Sequence, residues 1–181
     1  IHLKDGEYTV KNKKINTCDF SYLENNKKIN FNKIFIALHG SPAENGLIQD
    51  YFDNINLPYT SCNAEISALT FDKYTCNKTL CNIGFRCADS ILIKSNSMIN
   101  PDQIINKIGL PCFVKPNGAG SSFGISKVTE KTDLQQAINN ALEFDDKVII
   151  ESFISGTEVS CGVYSKKNII KTLPITEIIT E

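Results

Sequence analysis

Apolar and polar positions along this chain repeat with two periods, and each run predicts one element. Residues 1–33 are polar and uneven, with runs at Lys11–Lys14 and Asn25–Lys28, and predict short strands and turns. Ile34-Phe35-Ile36-Ala37-Leu38 is a continuous apolar run, as a strand buried on both faces requires. A loop from Gly40 to Gly46 follows, after which Leu47, Ile48, Tyr51, Phe52 and Ile55 fall on one helical face. Pro58 opens a short extended piece. The order strand, loop, helix, strand predicts a βαβ unit in a parallel sheet.

The pattern changes near residue 72. Asp72 is placed to cap a helix running from Lys73 to about Asn82, stopped by Gly84. Ser90 to Lys94 alternates as a strand. Asn100-Pro101 caps and opens a helix that Gly109 closes. Thr132-Asp133-Leu134-Gln135 predicts a capping box, with Leu134, Ala137, Ile138, Ala141 and Leu142 on the apolar side of the helix it starts. Lys147 to Phe153 reads as a strand, Gly156 as a turn, and Glu158 to Tyr164 as one arm of a hairpin whose other arm is Ile169 to Leu173.

The densest chemistry lies between these elements, in Gly109-Leu110-Pro111-Cys112-Phe113-Val114-Lys115-Pro116-Asn117-Gly118-Ala119-Gly120-Ser121-Ser122-Phe123-Gly124-Ile125-Ser126-Lys127-Val128. An apolar run ends in a lysine, passes through a loop of glycines and serines, and re-enters an alternating strand. Glycines let backbone N–H groups approach a phosphate closely, and serine hydroxyls and a lysine add donors and charge. A Walker A loop runs from strand to helix with its lysine after the glycines. Here the lysine comes first and a second strand follows, so the segment reads as a β-loop-β phosphate flap. The alternative for the same residues is a solvated Gly/Ser hairpin.

Composition narrows the class. With 41% apolar residues and strand-length apolar runs, the chain has enough for a core and predicts no membrane span. A net charge of −1 gives no support for nucleic-acid or membrane binding. The 181 residues suit one domain or two small ones. An odd set of seven cysteines without paired short spacings argues for reduced thiols in a cytoplasmic protein. Cys76, Cys81 and Cys87 are close in sequence but lack metal-ligand spacing, and are expected to be small buried hydrophobes. The chain opens on Ile1 and reads as a piece of a longer protein.

Residues Leu110 to Val128 resemble the central loop of the D-alanine–D-alanine ligases, members of the ATP-grasp superfamily. Three further segments match in order: Ala37-Leu38-His39-Gly40-Ser41-Pro42-Ala43-Glu44-Asn45-Gly46, Ser67-Ala68-Leu69-Thr70-Phe71-Asp72-Lys73, and Ile149-Ile150-Glu151-Ser152-Phe153-Ile154-Ser155-Gly156-Thr157-Glu158. The resemblance implies an α/β fold, α+β in its second part. Residues 1–71 would be a truncated parallel-sheet substrate domain preceding the ATP-grasp domain, and residues 72–181 part of the ATP-grasp domain itself. It also implies ATP-dependent joining of two D-alanines through an acyl phosphate, with Mg2+ on the phosphates, in a cytoplasmic enzyme that is a homodimer at full length. The alternatives are a D-alanine–D-lactate or D-alanine–D-serine ligase, or a nucleotide-binding fragment without turnover.

The same resemblance assigns residues. Lys73 and Lys115 would hold nucleotide phosphate, with Gly120, Ser121 and Ser122 in the loop around it. Lys73 lies in the first turn of a helix, where the macrodipole disfavours a cation, and so calls for an anion nearby. Glu151 and the backbone of Ser152 to Ile154 would hold adenine, and Glu158 the ribose hydroxyls. Without the resemblance, Glu151 and Glu158 read as surface glutamates at a hairpin. Ser121 would orient substrates rather than act as a nucleophile, since no GxSxG elbow or paired acid and histidine accompanies it. His39, placed after a buried strand, would lie at the amino-acid site, where open α/β sheets bind ligands. The resemblance puts the metal ligands, the lid with its tyrosine and lysine, and the glutamate for the first D-alanine outside these residues. No metal ligand is therefore assigned, and the piece alone is expected to be inactive.

Overall fold

A computed structural model describes residues 1–167 and 169–179. The first strands form a meander and a hairpin. β1 (His2–Lys4), β2 (Glu7–Val10) and β3 (Lys13–Lys14) pair antiparallel in that order, and β4 (Ser21–Glu24) pairs with β5 (Lys27–Asn30). Each tight turn puts two consecutive residues at positive φ: Asp5-Gly6, Lys11-Asn12 and Asn25-Asn26. That backbone matches the right-handed twist of a two-stranded ribbon. Ile15, Phe20, Tyr22, Ala43, Ile48, Phe52 and Leu57 form the buried core of this region, with Phe20 edge-on to Phe52 at 5.0 Å.

The Ile34–Leu38 run departs from expectation. It is extended, but only Ile34 is paired, through a parallel bridge to Tyr59, and Phe35 is 80% exposed. Ile34 donates to the Pro58 carbonyl and accepts from Thr60, so the strand-helix-strand order survives as a single bridge. An apolar run is buried on both faces only where other strands and helices flank it, and among the described residues a shallow cleft of ≈ 210 Å³ lies against it instead. Helix α1 (Leu47–Asn54) buries Ile48 and Phe52 as its spacing predicts, whereas Leu47 is exposed. Helix α2 (Ala64–Phe71), which the hydrophobic pattern did not predict, begins at Asn63, whose side chain accepts from the Ile66 N–H.

Helix α3 (Lys73–Asn82) starts where expected, with the Asp72 carboxylate accepting the Thr75 N–H at 2.8 Å. Next come β6 (Ser90–Lys94), α4 (Pro101–Ile108, capped by Asn100 and ended by Gly109), β7 (Cys112–Pro116) and β8 (Ser126–Val128). After them, the expected capping box does not form. Thr132, the capping residue of that box, lies inside a 3-10 turn (Lys131–Asp133), and Asp133, which directly precedes the helix, has helical angles and makes no side-chain cap. Helix α5 (Leu134–Leu142) nevertheless buries Leu134, Ala137, Ile138 and Ala141.

β9 (Lys147–Ser152) completes an antiparallel sheet of order β6-β9-β7-β8. Strand alternation gives this sheet two unlike faces. Cys112, Val114, Val148 and Ile150 point into the core with Ile104, Leu134 and Ile138 of the helices. Phe113, Lys115, Ile149 and Glu151, directly paired across β7 and β9, share the other face. The last strands differ in pairing from the single long hairpin expected. β10 (Val159–Ser160) pairs with β13 (Thr176–Glu177), and β11 (Val163–Lys166) with β12 (Ile169–Thr172). No helix among the described residues is long and apolar enough to cross a membrane.

Candidate functional site

Strand β7 delivers Lys115 to the polar face of the sheet, where its ammonium meets the Glu151 carboxylate of β9 at 2.7 Å. Glu151 is buried, and its second oxygen accepts from the Asn77 side chain of α3 at 2.6 Å. After Lys115 the chain turns into the glycine loop, and Asn117 fixes the turn. Asn117 is 2% exposed; its side chain accepts the Tyr74 N–H at 2.9 Å and its carbonyl accepts the Lys73 N–H at 3.2 Å. The loop is thereby tied to the first turn of α3. On the other side, the Asp145 carboxylate accepts the Gly118 N–H.

Lys73 reaches back into this loop and donates to the carbonyls of Ala119 (2.5 Å) and Asn117 (3.3 Å). Burial, and then the like charge of Lys115, hold its ammonium below the ordinary lysine pKa, against the pull of Asp145, Glu151 and Asp72. The anion expected beside Lys73 is thus represented within the protein by carbonyl dipoles and carboxylates at the edge of the site. Lys115, itself paired with Glu151, adds a like charge that presses on Lys73 and that a polyanion would offset.

A cleft of ≈ 240 Å³ opens between Lys73, Pro116, Gly120, Ser121, Ser122 and Phe123. Ser121 and Ser122 have φ of 54° and 58°, two consecutive left-handed residues that turn the chain sharply where it lines this cleft. Gly124, also left-handed at φ 69°, passes so close to Phe144 and Pro116 that an added Cβ would lie 2.6 and 2.9 Å from them. Phe123 stacks on Phe144 at 6.2 Å and steadies the far side of the loop.

The N-terminal region meets the site through Glu44. Its carboxylate accepts the Gly40 N–H at 2.8 Å and lies 3.1 Å from where a Cβ on Gly120 would stand. His39 is exposed, with Nδ1 3.6 Å from the same carboxylate, and the run before it is not the buried strand expected. Glu44, Asn77, Asn117 and Asp145 were not singled out from sequence. Asn117 carried one signal, an amide directly between Lys115-Pro116 and Gly118.

The strand edge after Glu151 is partly used. Ser152 donates its N–H to Asp89 (2.9 Å) and Phe153 donates to Pro111 (3.2 Å), which leaves Ile154, 65% exposed, as the one of the three without a backbone partner among the described residues. The Glu158 carboxylate is exposed and makes no polar contact among the described residues, so contacts do not join it to the Lys73–Lys115–Glu151 cluster. All seven cysteines are free thiols; only Cys112 is buried, against the expectation for Cys76, Cys81 and Cys87. Among the described residues, no three His, Cys, Asp or Glu side chains converge as a metal site requires.

A family model described as the D-ala D-ala ligase C-terminus matches residues 81–181, more than half of the chain. The chain belongs to the D-alanine–D-alanine ligase family. A D-alanine–D-alanine ligase of Phocaeicola vulgatus is 47% identical over 99% of this chain and 54% of its own length. One from Flavobacterium johnsoniae is 50% identical over 90% of this chain and 50% of its own. The chain therefore spans about half the length of the curated relatives it matches. Among solved structures, the D-alanyl-alanine synthetase A of Vibrio cholerae superposes with a TM-score of 0.82 at 24% identity, covering 92% of this chain and 51% of that one. The VanG D-Ala:D-Ser ligase of Enterococcus faecalis superposes at 0.76 with 34% identity, covering 90% and 47%. These likenesses agree with a mixed α/β architecture of the ligase family.

Proposed function

We propose that this chain carries the nucleotide-binding part of an ATP-dependent D-alanine–D-alanine ligase, with residues 1–71 belonging to a substrate domain and 72–181 to the ATP-grasp domain. The observation that carries the reading is the joined cluster of Lys73, Lys115, Glu151 and the glycine loop, formed by three elements of a family member. In this reading Lys73 and Lys115 neutralise the phosphates, and the N–H groups around Gly120, Ser121 and Ser122 bond them. Glu151 accepts from the adenine amino group, and Ile154 donates to a ring nitrogen in place of the occupied Ser152 N–H. Glu158 takes the ribose hydroxyls once the nucleotide is in place.

The chemistry this would serve has two steps. A D-alanine carboxylate oxygen attacks the γ-phosphorus, breaking its bond to the β-phosphate oxygen and leaving ADP and an acyl phosphate. The amine of the second D-alanine then attacks the acyl carbon; phosphate departs and the amine gives up a proton. Positioning and charge neutralisation are what such a transfer asks of the protein. Ser121 and His39 would serve the substrates by orienting them, His39 through its place beside Glu44. Magnesium would supply further charge neutralisation, but the residues described do not make a site for it, and no step is assigned to it. ATP and D-alanine as substrates imply a cytoplasmic enzyme. D-serine as second substrate is the competing reading, favoured by the 34% identity to a D-Ala:D-Ser ligase.

Isothermal titration with ATP tests the nucleotide site. Lys115→Ala and Glu158→Ala should each weaken binding. Unchanged affinity in both variants would refute the assignment.

A further inference from the structure

The two oxygens of Glu151 are held by different donors on different elements. Oε2 accepts from Lys115 Nζ at 2.7 Å and Oε1 from Asn77 Nδ2 at 2.6 Å. An ionised carboxylate only accepts, so Asn77 must present its NH2 group here. Asn77 stands one turn after Lys73 on α3, and residues four apart share a helical face. One side chain of that face reaches the glycine loop; the next reaches β9.

The two donors do different things to the carboxylate. A lysine is a compact charge on a four-carbon stem, and it attracts a carboxylate without fixing its plane. A second donor on the other oxygen, carried by a short amide on a helix, fixes that plane. Each carboxylate oxygen keeps a further lone pair, and the plane decides where those lone pairs point. A base offering an amino group there is accepted. A base offering a carbonyl oxygen at the same place sets acceptor against acceptor, which leaves buried polar atoms unpaired and is costly.

We propose that Asn77 is a base-selecting positioning residue: it sets the Glu151 carboxylate to take an amino group of a purine and to refuse a carbonyl. The inference rests on the nucleotide reading above. It adds a residue of α3 that acts on the base end of the site while Lys73, on the same helix, acts on the phosphate end.

The test titrates the full chain and its Asn77→Ala, Asn77→Asp and Lys73→Ala variants with ATP, GTP and inorganic tripolyphosphate. Loss of a hydrogen bond to a charged group predicts that Asn77→Ala binds ATP about tenfold more weakly. GTP affinity should change little, so the preference for ATP shrinks, and tripolyphosphate, which has no base, should bind as to wild type. Asn77→Asp keeps the volume but sets a second carboxylate against Glu151, and should lose at least as much ATP affinity as Asn77→Ala. Lys73→Ala should weaken all three ligands. An Asn77→Ala variant that keeps the wild-type preference for ATP over GTP, or loses ATP and tripolyphosphate in equal measure, overturns this inference alone. A wild-type chain that binds no ATP overturns the nucleotide reading and this inference with it.

Discussion

Replacing Lys115 by Met is the sharpest structural perturbation of the site. The thioether chain keeps most of the lysine stem's volume, but among the described residues Glu151 is left with Asn77 as its only side-chain donor. At the observed 2.7 Å and an effective dielectric of ~20, the gross attraction lost is roughly 6 kcal/mol, much of it offset by the desolvation of both ions. The side chains of Lys115 and Glu151 are 25% and 11% exposed, so solvent repairs little of what remains. Removing one partner from a pair buried to this degree costs about 3 kcal/mol, a fall in Tm of about 6–12 °C for a chain of this size. The same change removes the like charge that presses on Lys73, a smaller gain in the opposite direction. Most of the loss comes from an unpaired buried charge, so adding Glu151→Gln should recover about 1–2 kcal/mol relative to Lys115→Met alone. Thermal unfolding followed by circular dichroism measures Lys115→Met, Glu151→Gln and the double variant. A Lys115→Met protein that melts within about 2 °C of wild type, or a double variant whose losses simply add, would refute the reasoning.

The glycines of the loop should separate geometry from binding. Gly124→Ala combines a left-handed φ with a Cβ 2.6 Å from Phe144 and should cost about 2–3 kcal/mol in thermal unfolding; a wild-type melting curve would mean that the loop is shaped otherwise. Gly120→Ala would bring its Cβ 3.1 Å from the Glu44 carboxylate, a contact that a side-chain shift of a few tenths of an ångström relieves, so its melting should hold while ATP titration shows weaker binding. Asp72→Ala removes the cap of α3 and should cost about 1 kcal/mol at pH 7. Burial raises the Asp72 carboxyl, but the Thr75 N–H and its other donors outweigh this and hold it below its ordinary value of 3.8. Because the folded pKa is the lower one, the stabilisation is whole above 3.8 and is lost as pH falls through the folded value, so urea midpoints of the two proteins should converge in acid. A gap that persists at the lowest pH would show that the contribution is not ionic.

Much of the second region was readable because its elements carry local punctuation. Asp72 before α3, Asn100-Pro101 before α4 and Gly109 after it cap or end those helices as their residue types require. The β7-loop-β8 segment also lay where its pattern put it. Helix α2 escaped because its apolar residues do not gather on one face: of its eight residues only Ser67 is buried. Its one clear signal was Asn63, an N-cap residue. The turns Asp5-Gly6 and Asn25-Asn26 carried a hairpin signal stronger than the diffuse strand pattern around them. Burial of Ile34–Leu38 was over-read because an apolar run states what a strand can bury, not whether neighbours cover it. Within the site, Lys73 and Lys115 stood out by their places at a helix start and before the glycine loop, whereas Glu151 stood out only through the family resemblance and otherwise reads as a surface glutamate. Asn77, Asn117 and Glu44 were not, since each acts through a contact distant in sequence, such as the 74 residues between Asn77 and Glu151.

The central claim is that these residues serve a ligase that spends ATP on a D-alanine carboxylate. It is tested most directly by measuring ADP release from ATP by the full-length protein with and without D-alanine. The account predicts ADP only when D-alanine is present, in step with D-alanyl-D-alanine, and its loss in Lys73→Ala. ADP release indifferent to D-alanine, or none at all from a folded protein that binds ATP, would contradict it.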